Sequence, residues 1–262
     1  MARAMKLATW NVNSVRAREA RLIAFLSREQ PDVLCLQELK VVDEDFPHDA
    51  VRAAGYEAVT FGQKTYNGVG ILAKTGIAIE NVTRTFEDGA DDPQARVIAA
   101  DVMGVRVVSI YVPNGSEPGS EKWAYKTAWL KRLTAYLSSK VDLSRKVAVC
   151  GDINIAPDIK DVAKPDRWKN SVLFHPDMTA AFRAIEATGL IDTSRQLNAG
   201  EGPFTWWDYR MLAFPKGDGL RIDHVFASKA LAATCTEVRV DRDERKGAQP
   251  SDHAPVIASF SE

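Results

Sequence analysis

The sequence predicts an α/β fold in which mixed, partly antiparallel sheet packs with helices, rather than a purely parallel nucleotide-binding fold. Three observations carry that expectation. Short β-rich runs bounded by turn residues recur at 7–10, 33–37, 69–73, 97–102, 105–111, 147–150, 222–227, 236–240 and 255–260. Met103-Gly104 alone separates two of them, which reads as a hairpin and makes part of the sheet antiparallel. Helical stretches lie between the runs, a mixture that favours a sandwich.

The first helix is expected over 15–28, with Val15, Leu22, Ile23 and Leu26 on one face and Ser14 as its N-cap. A second is expected over 120–138, where Trp123, Thr127, Leu130, Thr134 and Leu137 fall at spacings of three and four. A third, over 179–188, ends before Gly189, a residue suited to the position just past a helix. No repeat, low-complexity stretch or long Pro/Gly/Ser linker divides the 262 residues, so one domain over 1–262 with a single core is expected.

Composition bounds the function loosely. Apolar residues make up 45% and charged residues 26%, as in soluble globular proteins. The formal net charge of −1 gives no support for a nucleic-acid partner, which calls for Lys and Arg. The cations do cluster, as Arg16, Arg18 and Arg21, as Lys122 and Lys126, and as Arg242, Arg245 and Lys246. A locally basic face is compatible with neutrality, although each cluster alone reads first as a solvated helix face. Cys35 and Cys150 sit in apolar runs and read as buried thiols; with Cys235 they give neither metal spacing nor a disulfide framework. The segment 1–6 is too short and polar for a signal peptide, and no apolar run approaches a membrane span. A cytoplasmic monomer is the expectation.

Polar residues recur at strand ends. Asn11, Glu38, Tyr111, Asp152 and Asn154 close or follow runs, Asp223 opens one, and Asp252-His253 precede the last. If the last strands run antiparallel to the others, all these groups meet at one edge. A lone Asp after a strand is ordinarily a turn residue; so many sites together suggest a function. Carboxylate and amide oxygens are hard ligands suited to Mg²⁺ or Mn²⁺, and Mg²⁺ usually completes its shell with phosphate oxygens and water. No P-loop pattern is present, which leaves hydrolysis of a phosphate ester as the reaction class.

The motifs Trp10-Asn11-Val12-Asn13, Leu36-Gln37-Glu38-Leu39-Lys40, Tyr111-Val112-Pro113-Asn114-Gly115, Gly151-Asp152-Ile153-Asn154, Leu220-Arg221-Ile222-Asp223 and Ser251-Asp252-His253-Ala254-Pro255 follow one another in that order. Together they resemble the exonuclease III / apurinic endonuclease family of the endonuclease/exonuclease/phosphatase superfamily, over 6–260. The Leu36–Lys40 segment and Thr205-Trp206-Trp207-Asp208-Tyr209-Arg210 carry the narrower resemblance.

The resemblance implies a four-layer α/β sandwich, two packed mixed β-sheets flanked by helices. It implies Glu38 as principal ligand of Mg²⁺, for which Mn²⁺ substitutes, with Asn11, Asp252, Asp152, Asn154 and His253 in the metal network. Asp152 would align or deprotonate water and Asn154 would hold it. His253, paired with Asp223, would contact the scissile phosphate, and Tyr111 would hydrogen-bond it or assist the leaving group. Trp206, Leu220 and Ile222 would wall an apolar pocket for a base-less sugar, whereas Trp207 reads as core. Arg16, Tyr66, Asn114, Lys122 and Lys126 would meet the DNA backbone, with amides of the Tyr66-Asn67-Gly68 turn facing phosphate. The implied substrate is double-stranded DNA with abasic sites or 3′ ends. Asn13, where some relatives carry Asp, and Glu117, where some carry a basic residue, depart from the pattern. The balance between endonuclease and exonuclease action stays open, as do the number of metals and the identity of the general base. The competing expectations are another phosphoesterase of the superfamily, acting on inositol phosphates or sphingomyelin, and a non-catalytic DNA-binding relative.

Overall fold

Among the described residues twelve strands form two mixed sheets, and the reason lies in how their side chains alternate. The computed structural model describes residues 4–262; residues 1–3, part of the N-terminal segment read against a signal peptide, lie outside the described residues. The strands are β1 (Met5–Asn11), β2 (Val33–Gln37), β3 (Tyr56–Phe61), β4 (Val69–Lys74), β5 (Ile79–Thr83) and β6 (Val97–Val102). They continue with β7 (Val105–Tyr111), β8 (Val147–Asp152), β9 (Leu190–Asp192), β10 (Asp223–Ser228), β11 (Cys235–Val240) and β12 (Val256–Phe260). One sheet has the order β11-β12-β1-β2-β4-β3 and the other β5-β6-β7-β8-β10-β9.

Successive side chains of a strand point to opposite faces. Met5 and Leu7 of β1 join Val33, Cys35, Val107, Ala148, Cys150 and Val225 in the core between the sheets. Ala8 and Trp10, one residue out of phase, pack outward with Leu22, Phe25 and Leu26 of α1 (Glu19–Glu29) and Val51 of α2 (His48–Ala53). On the far side, Val108, Ile110 and Val149 pack against Trp129, Leu130 and Leu133 of α3 (Glu121–Ser139). Burial on both faces explains why the central strands read as continuous apolar runs. The result is the expected four-layer α/β sandwich.

Each sheet holds one parallel pair, β1 with β2 and β7 with β8. Each also sets an antiparallel strand beside that pair, β12 next to β1 and β10 next to β8. The carboxyl ends of β1, β2, β7 and β8 and the amino ends of β10 and β12 therefore reach the same rim. The antiparallel return of the late strands is the condition on which convergence of the polar residues depended. The hairpin at Met103-Gly104 joins β6 to β7 with φ of 52° and 76°, a left-handed pair that suits a two-residue turn.

Differences from the sequence reading have physical causes. The unforeseen strands β3, β5 and β9 include three of the four sheet edges, and β5 is largely open to solvent on its polar side. The first helix starts later than expected. Residues Arg16–Arg18 form a 3₁₀ turn, and Ser14, at φ 90°, accepts only a long bond from the Ala17 amide. Ser120 caps α3 by accepting from the Trp123 amide, but the buried stripe runs through Lys126, Trp129, Leu130, Leu133 and Leu137. Thr127 and Thr134 instead turn back to carbonyls one helical turn earlier. The third helix begins at proline, Pro176–Ala187, and Gly189 follows its cap at φ 109°. Cys35 and Cys150 are fully buried, as expected. Among the described residues, no helix is long and apolar enough to cross a membrane.

Candidate active site

The rim gathers one acid from each sheet around an amide. Asn11 ends β1, and its Nδ2 donates to Glu38 Oε1 at 2.8 Å and to Asp152 Oδ2 at 2.9 Å. Glu38 follows β2 at φ 52°, a left-handed turn that aims its side chain across the rim. Below them Gln37 donates to Thr9 and Ser109, a buried bridge that locks the two sheets just under the site.

Asp152 ends β8 beside Tyr111 and opposite Asp223 in register. Asn154, also left-handed at φ 52°, donates its amide N–H to Asp152 Oδ1 at 2.9 Å and its Nδ2 to Oδ2 at 3.2 Å. Asp223 opens β10 and takes His253 Nδ1 at 2.8 Å. The Nε2 of the same ring lies 3.6 Å from Asp152 Oδ2. His253 itself is placed by a short segment: residues 205–207 bridge to Leu220 on one side and to His253 on the other.

The electrostatics assign forms to these groups. Burial disfavours a charged His253, but the Asp223 and Asp152 carboxylates outweigh it and hold its pKa up to about 10. The imidazolium is the resting form at neutral pH. Burial raises the Asp152 carboxyl towards neutrality, the charge on His253 opposes this, and Asp223 and Glu38 add to the rise. Burial, with the nearby Glu38 and Asp152 charges, keeps the Tyr111 phenol protonated.

The donor set fits a hard divalent cation. Glu38, Asp152 and His253 each offer one atom within 4.8 Å of the others, and Glu38 is the member partly open to solvent. Position admits His253 Nε2 as a ligand, but the carboxylates beside the ring favour its protonated form, which has no lone pair to give. Asp252 stands outside this group: Asn13 Nδ2 and Trp206 Nε1 occupy its two oxygens at 2.9 Å each. Asn11 turns its Oδ1 to the Asn13 amide at 3.0 Å and enters as a bridge between carboxylates. Asn154 Oδ1 accepts from Asn114 Nδ2 at 3.2 Å.

The expected DNA-contact residues are dispersed. Leu220 and Ile222 are buried with Ala156, Val162, Val172 and Leu173, forming a floor on which the partly exposed Trp206 packs. Trp207 is core, as expected. Tyr66 is 67% exposed, but the Tyr66 and Gly68 amides already donate to Lys64 and Ala95 carbonyls, so neither is free for phosphate. Lys122, Asn114 and Tyr66 line one surface cavity of about 680 Å³ beside Tyr111. Arg16 is exposed and pairs with Asp45 at 2.8 Å. Lys126 is corrected outright: it is fully buried, with its ammonium enclosed by backbone carbonyls, and has no route to a phosphate.

Several residues at the site were not foreseen. Lys40 pairs with Glu38 Oε2 at 2.9 Å and also donates to Asn13. Thr205 Oγ1 accepts from the Ile222 and Asp223 amides at 3.0 Å each and so sets the start of β10. Trp168 meets Trp206 edge-on at 5.5 Å between centroids. Lys40 lies inside the Leu36–Lys40 motif, which is a signal in the sequence; Trp168 has none without tertiary structure.

The endonuclease/exonuclease/phosphatase family model matches residues 8–253, the span that carries every residue of this rim. The chain belongs to that family. Within the endonuclease/exonuclease/phosphatase family it is similar to exodeoxyribonuclease III of Haemophilus influenzae, 36% identical over 98% of this chain and 100% of the relative. Among solved structures it is similar to an AP endonuclease from Archaeoglobus fulgidus, at a TM-score of 0.95 and 38% identity over 98% and 100% of the two chains. It is equally similar to the 3′ phosphatase NExo from Neisseria bound to a product DNA hairpin, at 0.94 and 40% over 98% and 100%. The chain is an enzyme of the exodeoxyribonuclease III and AP endonuclease type within this family.

Proposed function

We propose that the enzyme is a Mg²⁺-dependent DNA-repair nuclease that incises duplex DNA 5′ to abasic sites and removes nucleotides from 3′ ends. The observation that supports it most is the His253 ring held between the Asp223 and Asp152 carboxylates, which favour its charged form, beside Glu38. Attack on a phosphodiester adds negative charge to the phosphate oxygens, and a fixed cation there favours the transition state over the ground state.

Glu38 and Asp152 would hold the metal, which when bound polarises the phosphate and neutralises charge developing on it. Asp152, buried and raised towards neutral pH, accepts a proton from water lying between it and the phosphorus. Asn154 fixes the Asp152 carboxylate through two hydrogen bonds. Asp223 keeps the His253 ring protonated and oriented. Tyr111, kept as the neutral phenol, donates to the phosphate or to the departing oxygen. The partly exposed face of Trp206, backed by the buried Leu220 and Ile222 and with its indole N–H already given to Asp252, presents apolar surface that suits a deoxyribose without its base.

A duplex carrying a tetrahydrofuran abasic analogue tests the reading. Cleavage 5′ to the analogue is expected with Mg²⁺ and none with EDTA. Absence of Mg²⁺-dependent cleavage would sink the proposal.

A further inference from the structure

Lys126 is a buried lysine that the nuclease reaction does not use; burial pulls its pKa down to about 7, and the nearby Asp152 charge opposes the fall. It lies in the middle of α3, with none of its surface exposed. Its Nζ donates to Val172 O at 2.7 Å, Asn154 O at 2.8 Å and Asn114 O at 3.1 Å. An ammonium has three N–H donors, and these three carbonyls use them all. A neutral amine offers only two and would leave one carbonyl without its partner.

The three carbonyls belong to three separate segments. Asn154 is the left-handed residue that grips both oxygens of Asp152. Asn114 donates to Asn154 Oδ1 and borders the cavity beside Tyr111. Val172 belongs to the apolar floor under Trp206. Packing leaves the lysine stem little freedom: a Cβ on Gly115 would stand 2.9 Å from Lys126 Cδ. The segments carrying the Asp152 support, the Asn114 side chain and the pocket floor are therefore tied at one point.

We infer that Lys126 is a positioning residue for the nuclease site, acting through the Asn154 backbone to hold Asp152 in its reactive orientation. The inference rests on the nuclease reading of the site, and its tests separate the two.

The variant Lys126→Met keeps the stem and removes every donor. Where a thermal melt shows the variant folded, its kcat for cleavage is expected to fall about 10- to 100-fold. Asn154→Ala is expected to fall by at least as much. The double variant should be within about 2-fold of Asn154→Ala alone, because both changes release the same carboxylate. Losses that multiply, or a Lys126→Met kcat equal to wild type, would overturn the inference. If Lys126→Met does not fold, Lys126→Arg, which keeps the charge but displaces the donors, carries the same cycle. Hydrogen exchange at the Asn154 amide gives an answer without turnover. Protection from its bond to Asp152 should drop in the folded variant, and unchanged protection would count against Lys126 even if wild type fails to cut abasic DNA.

Discussion

The catalytic rim and the cationic surface contrast in how the chain uses its polar groups. At the rim, Asn11, Glu38, Tyr111, Asp152, Asn154, Asp223 and His253 converge from six strands of two sheets. On the surface, cations adjacent in sequence separate in function. Arg21 donates to the Glu244, Lys246 and Ala248 carbonyls, Arg18 to Asn13 and Pro250, and Arg245 to Ser251 and Trp207. Two of the three basic clusters are thus largely a seam between the first helix and the loop that presents Asp252-His253. A strand end has a direction fixed by the sheet, whereas a cation has a choice between water, phosphate and its own backbone.

The largest effect should come from the rim. Asp152→Asn preserves shape and removes the proton acceptor, and cleavage of abasic duplex should fall about a thousand-fold. DNA binding, measured by fluorescence anisotropy, should persist. Near-wild-type cleavage would remove Asp152 from its assigned role.

That contrast also explains what the sequence made legible. Central strands announce themselves because burial on both faces demands unbroken apolar runs, and their ends then mark the rim. Edge strands β3, β5 and β9 carry mixed or very short patterns and escaped notice. The identity of the rim residues was readable, but their internal wiring was not. Asn11 Nδ2 bridges the Glu38 and Asp152 carboxylates while its Oδ1 accepts from the Asn13 amide, a wiring that no spacing encodes. Lys126 looked like a surface cation because α3 was phased on Thr127 and Thr134, whose hydroxyls satisfy themselves on the helix. Trp168 and Thr205 act through contacts that no spacing encodes.

A second effect sharpens the rim's electrostatics. The His253 pKa of about 10 lies above the ordinary value near 6.5. Its contribution to stability is complete below about 6.5 and is lost as pH rises through about 10. In EDTA, the denaturant midpoint of wild type should therefore fall over that range relative to Asp223→Asn, in which the raising carboxylate is gone. A difference that stays constant with pH would mean that His253 is not held protonated by Asp223.

Smaller effects test the other half of the comparison. Arg21→Ala strands the Glu244, Lys246 and Ala248 carbonyls and leaves the Glu244 carboxylate to Arg28 alone, and should cost about 1–3 kcal/mol in urea unfolding. Because Arg21 is engaged internally, the salt dependence of DNA binding should not change. A reduced salt slope would return Arg21 to the DNA surface.

The smallest stability effect, and the complementary binding effect, belong to Lys122. It is exposed at the cavity shared by Asn114, Tyr66 and Tyr111, and no carboxylate lines that cavity. Lys122→Ala should leave the unfolding midpoint within about 0.5 kcal/mol of wild type. Its DNA affinity should fall uniformly across sequences, and the slope of log affinity against log salt should shrink by about 1. In a protein of net charge −1 the cations that meet phosphate act locally, so the loss of one such contact should show in that slope. An unchanged slope would mean that the enzyme meets DNA on a face other than the one beside Tyr111, and that the dispersed cations hide a second basic surface.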